Sequence, residues 1–122
     1  MAGPERLICA GADLRERGTG VRFTVRRYGE KQAAFAVRFG GVVRAYLNRC
    51  AHVPIELDWA EGEFFDLSGL YLVCSTHGAA YDPETGRCRG GPCGSRGLIA
   101  LQVEERDGGV FLVDQNSEMH HD

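Results

Sequence analysis

The chain has 122 residues, 43% of them hydrophobic and 25% charged, with a formal net charge of −3. That length favours one domain with one modest core, and the composition is ordinary for a globular protein. No stretch approaches the roughly 20 apolar residues of a membrane helix, and "MAGPERLICAGADLRERG" lacks the basic start and apolar run of a secretory signal, so a soluble cytoplasmic protein is expected.

Strand signals dominate the chain. Near the N-terminus "DLRERG" is compatible with a single helical turn. In "VRFTVRRYG", Val21, Phe23 and Val25 alternate with Arg22, Thr24 and Arg26, the period of a half-buried strand. "AAFAVRFGGVVRAYLN" predicts a hairpin around Gly40-Gly41, a dipeptide suited to the positive φ of primed turns. "IELDWAEGEF" predicts a short irregular segment and "LYLVC" a short apolar strand. "YDPETG" is a turn, with Pro83 presetting φ and Gly86 free to take φ above zero. "LIALQVEERDGGVFLVD" predicts a second hairpin at Asp107-Gly108-Gly109. The tail "QNSEMHHD", residues 115–122, is expected to be disordered, with His120 and His121 incidental. The whole is an all-β domain with a scaffold over 5–48 and 97–114 and a loop-rich tip over 49–96.

Charge is unevenly spread. Residues 1–50 hold ten Lys or Arg and four Asp or Glu, and the remainder holds four and thirteen. From Cys50 to Gly86 there is no Lys or Arg, while Glu56, Asp58, Glu61, Glu63, Asp66, Asp82 and Glu84 are all acidic. Such a segment does not suit nucleic acid or an anionic membrane. It suits a solvated acidic loop, or one that steers a basic partner.

The five cysteines are Cys9, Cys50, Cys74, Cys88 and Cys93. An odd number without a signal peptide argues against a disulfide framework. Cys9, in "RLICAG", is expected in the core. Cys88 and Cys93 flank "RGGP"; two small buried thiols are expected there, and a redox-sensitive pair is the alternative.

Cys50, His52, Cys74 and His77 are different. They come from "NRCAHVPIEL" and "LVCSTHGAAYDPETG", two loops that each follow a strand and each supply one Cys and one His. Four such side chains make a metal-ligand set, and Cys₂His₂ is a legitimate zinc site. Zinc fingers usually keep Cys with Cys and His with His, whereas the order here is Cys-His-Cys-His.

The C-x-H and C-x-x-H pairs resemble the signature of Rieske proteins. "CSTHGAAYDPETG" is similar to the family's second loop, with Gly78 after the histidine, and "GGP", ending in Pro92, sits where the family has its proline loop. The resemblance covers nearly the whole chain and implies a Rieske-type ferredoxin of antiparallel sheets. It implies one 2Fe-2S cluster, with Cys50 and Cys74 on one iron and His52 and His77 on the other. Two imidazoles in place of two thiolates remove negative charge, which places such centres at about −150 to +300 mV.

High-potential members have a disulfide between the two cluster loops. The matching positions are Ile55 and Thr76, so it cannot form here. Their serine donor to a bridging sulfide corresponds to Ala79, which has no donor, and a potential in the lower half of the range is expected. Tyr81 falls where those members have a tyrosine donating to a cysteine sulfur; a packed aromatic is the alternative.

A Rieske centre moves single electrons. After the tip only residues 97–122 remain, too few for the mononuclear iron domain of an oxygenase, and no nucleotide-binding fingerprint marks a reductase. The expectation is a monomeric carrier between a reductase and a terminal oxidoreductase such as an oxygenase, with no catalysis of its own. A fixed small subunit of a larger enzyme, of the nitrite reductase type, and a zinc-stabilised binding module are the alternatives.

Overall fold

The computed structural model describes residues 6–51 and 53–119. Among the described residues, eleven strands form three antiparallel sheets. The largest comprises β2 (Val21–Arg27), β3 (Glu30–Phe39), β4 (Val42–Leu47), β8 (Ala100–Leu101) and β11 (Ser117–Met119), in the order β11-β2-β3-β4-β8. A second sheet, β1-β10-β9, joins β1 (Leu7–Ala10), β9 (Val103–Arg106) and β10 (Gly109–Leu112). The third, β5-β6-β7, is built from β5 (Leu72–Val73), β6 (Ala80–Tyr81) and β7 (Cys88–Gly90), all within the tip. The predominantly β expectation is met.

Three hairpins share one turn chemistry. Tyr28-Gly29, Gly40-Gly41 and Asp107-Gly108 each place two residues at positive φ, between 51° and 78°. The strand pairs that close them are Arg27↔Glu30, Phe39↔Val42 and Arg106↔Gly109. Two central residues at positive φ match the right-handed twist of the flanking strands. The first of these turns starts β3 at Glu30, well before the apolar run that begins at Ala33.

β3 separates two cores by simple alternation. Phe35 and Val37 face one cluster with Tyr46, Leu57, Phe64, Leu72, Cys74 and Tyr81. Ala34 and Ala36 face the other with Leu14, Val25, Leu47, Leu101, Val110 and Leu112. Both faces of the strand are covered, which is why "AAFAV" is apolar without a break. Phe35 stacks on Phe64 with centroids 3.9 Å apart, tying the acidic excursion to the scaffold.

Two sequence expectations are corrected. The tail is not disordered from residue 115: Ser117–Met119 pairs with Val25–Arg27 at the outer edge of β2. Asp114, only 8% exposed, organises the approach by accepting from Arg27 and from the backbone N–H of Gln102 and Asn116. The backbone groups of an edge strand need partners, and a polar segment supplies them without any apolar pattern to announce it. His120 and His121 lie outside the described residues.

Cys88 and Cys93 are joined in a disulfide rather than remaining two thiols. The intervening glycines let the chain fold back so that the Cα atoms lie 5.8 Å apart, within the roughly 4.4–6.8 Å a bridge spans. Cys9, Cys50 and Cys74 carry no disulfide. Cys9 is half-buried against the second core.

Candidate metal centre

The first loop leaves β4 through Asn48, which is buried. Its carboxamide oxygen accepts the backbone N–H of Leu57 at 2.8 Å, and its nitrogen donates to Asp58 at 3.0 Å. Asp58 also accepts the N–H of Gly62 and lies 3.5 Å from Arg22 of β2. Cys50 N–H donates to the carbonyl of Ile55 at 2.8 Å, closing the loop on itself. The acids around it are therefore largely engaged: Asp58 is structural, and Glu56 and Glu61 face Arg22.

The second loop leaves β5 and returns in β6. Cys74 N–H donates to the Ala79 carbonyl at 2.8 Å, and Gly78 N–H donates to the Cys74 carbonyl at 2.9 Å. That reversal places Gly78 at φ +76°, where a side chain would be strained. Ser75 N–H reaches the Leu57 carbonyl, so the two loops are stitched together.

The structure brings the Cys50 and Cys74 side chains together, both buried. His77 is exposed at the turn of the second loop; His52 lies outside the described residues. Among the described residues no three His, Cys, Asp or Glu gather closely enough to hold one metal ion. What surrounds the sulfurs is informative. Burial pushes the Cys74 thiol up and the neighbouring Cys50 adds to this, while the backbone N–H groups of Thr76 and His77 pull it down. Tyr81, fully buried, sets its hydroxyl 3.3 Å from Cys50 Sγ. Donors aimed at two adjacent buried sulfurs suit thiolates held by a metal.

The third loop lies over this cradle. Gly91, at φ +82°, packs so closely that a Cβ would come within 2.9 Å of the Gly78 carbonyl and 3.0 Å of Ala79 Cα. Arg96 reaches back to the Ala51 carbonyl at 3.2 Å. Pro92 is exposed at the loop's crest.

The Rieske [2Fe-2S] domain model matches residues 5–106. The chain belongs to the Rieske family. Rieske domains bind a 2Fe-2S cluster, so iron–sulfur rather than zinc is the cofactor. Among solved structures, the ferredoxin of Sphingomonas yanoikuyae B1 is 26% identical with a TM-score of 0.67, covering 90% of this chain and 96% of that one. The ferredoxin of carbazole 1,9a-dioxygenase from Nocardioides aromaticivorans IC177 is 24% identical with a TM-score of 0.69, over 90% and 96%. The terminal oxygenase of that system is 23% identical with a TM-score of 0.71, over 95% of this chain and 31% of the oxygenase. The present chain thus spans about a third of the oxygenase and nearly all of each ferredoxin. No curated protein matches the sequence.

Sequence reasoning missed the interior roles of two residues that shape this Rieske centre, and the pairing of two more. Asn48 and Asp58 form a buried pair, and nothing in a hydrophilic stretch distinguishes an interior carboxylate from a solvated one. The bridge partners Cys88 and Cys93 carried a signal in their bracketing of "RGGP", but pairing depends on a fold-back that spacing alone does not show.

Proposed function

We propose that this Rieske protein is a one-electron carrier whose cluster is held by Cys50, His52, Cys74 and His77, serving in the cytoplasm between a reductase and a terminal oxygenase. The observation that carries this is the pair of adjacent buried sulfurs at the ends of two stitched loops, in a domain of ferredoxin length. The cluster supplies reversible one-electron chemistry when bound. The chain's own residues fix the loops, donate to the thiolate sulfurs and leave His77 at the surface. An exposed ligand edge gives a partner a short path and needs no opening of the protein. Within the described residues no helix is long and apolar enough to cross a membrane.

A second arrangement, a subunit fixed in a larger enzyme, is favoured by the excursion before β5. Trp59 is 90% exposed there, and Leu67 and Leu70 are also at the surface, as on a face covered by a permanent partner. Anaerobic titration with dithionite tests the carrier reading: one electron per chain, reversible, is expected, and a redox-silent protein would overturn it. Native size-exclusion separates the two arrangements, since a shuttle runs as a monomer and a fixed subunit elutes with its enzyme.

A further inference from the structure

The Cys88–Cys93 bridge touches the cluster cradle from two sides. At one end, Cys88 on β7 is paired with Tyr81 on β6, and the Tyr81 hydroxyl lies 3.3 Å from Cys50 Sγ. At the other end, Cys93 is 1% exposed and packs in the same core as Cys50, Cys74, Ala79 and Tyr81. Between them, Gly91 lies against the backbone of Gly78 and Ala79, immediately after His77. Gly90 and Gly91 give the loop little stiffness of its own, so the bridge supplies the restraint.

We propose that Cys88–Cys93 is a dithiol-reducible clamp on the loop over the cluster, so that its reduction loosens the 74–79 loop and makes the cluster labile. The inference rests on the ligand assignment above. Cys88 is the point of attack, because it is partly exposed whereas Cys93 is interior. A thiolate of an external dithiol attacks Cys88 Sγ, and the S–S bond breaks with Cys93 leaving as thiolate. The dithiol's second thiolate then attacks its own sulfur in the mixed disulfide, releasing Cys88. Two electrons and two protons pass to the pair, giving two thiols, and the dithiol becomes a disulfide. A single cluster transfers one electron at a time and cannot complete this reduction alone. The clamp therefore answers to the surrounding thiol pool and not to each turnover, as suits a bridge in a reducing compartment.

The test uses anaerobically purified holoprotein with and without dithiothreitol. Denaturing alkylation and mass counting report the bridge; absorbance decay in a chelator reports cluster release; amide exchange over 74–79 reports the loop. Opening the bridge is expected to speed cluster release at least about fivefold and to raise exchange over 74–79, both reversed by reoxidation. The variant pair Cys88→Ser and Cys93→Ala, separately and together, should show the fast release without dithiothreitol and ignore it. Free thiols at both positions in protein purified without reductant, or a bridge that opens with neither release nor exchange changed, would overturn the proposal. Protein without iron in every form would instead sink the ligand assignment, and amide exchange still decides the clamp.

Discussion

The Tyr81 hydroxyl sits between the Cys50 sulfur, 3.3 Å away, and the Ala51 backbone N–H, which donates to it at 3.0 Å. With its oxygen occupied as acceptor, the hydroxyl proton is directed at the sulfur. A donor to sulfur stabilises the more negative, reduced cluster. Tyr81→Phe should therefore keep the cluster and lower its potential by about 40 mV, the one-electron equivalent of a hydrogen bond worth about 1 kcal/mol. A redox titration of the variant checks this, and an unchanged potential would make Tyr81 a packing residue only.

Gly91→Ala adds a Cβ where the Gly78 carbonyl and Ala79 Cα already stand within 3.0 Å, at a φ of +82°. The backbone strain falls on the third loop itself, and the clash falls on the loop carrying His77. We expect a stability loss of about 2 kcal/mol or more, with faster loss of visible absorbance in chelator. Denaturant unfolding beside wild type measures it; equal midpoints would mean the third loop does not bear on the second.

Asp58 is an acid with an interior task. Removing its carboxylate in Asp58→Ala leaves the Asn48 amide and Gly62 N–H without their acceptor and Arg22 without one of its three acids. A loss of about 2–3 kcal/mol is expected in urea unfolding. Glu63→Ala, an exposed acid in the same stretch, should change stability by less than about 0.5 kcal/mol. Equal effects of the two would return Asp58 to the solvated acidic loop.

Cys9 should be a slow thiol. Burial, with the charges of Asp13 and Glu105, pushes its pKa up to about 11, against a smaller lowering by Arg38. It is thus a neutral thiol through pH 9, with a thiolate fraction of about one in a thousand at pH 8. Iodoacetamide labelling of the folded protein should rise about tenfold per pH unit until the pKa. Because the folded pKa exceeds the unfolded value of about 9, this group's contribution to stability is intact below pH 9 and declines as pH rises through 11. Rapid labelling at pH 8 would contradict the buried setting.

Legibility in the sequence followed how local the physics is. Gly40-Gly41 and Asp107-Gly108 announce hairpins because the turn itself demands positive φ. Tyr28-Gly29 makes the same turn, yet a tyrosine at φ 51° carries no such signature. The Cys–His loops stand out because each pairs a cysteine with a histidine two or three positions away. The burial of Asp58, the pairing of Cys88 with Cys93 and the docking of Ser117–Met119 on β2 all arise from long-range approach. No local pattern encodes where a distant strand edge, arginine or sulfur will be.

The central claim is that two thiolates and two imidazoles from these loops hold a 2Fe-2S cluster. Optical and EPR spectra of anaerobically purified protein, before and after dithionite, with iron and sulfide quantified, test it most directly. The account predicts a red-brown protein with about two irons and two sulfides per chain and an EPR signal on reduction, retained in Tyr81→Phe and lost in Cys74→Ala. A colourless protein holding one zinc, silent to dithionite, would contradict it.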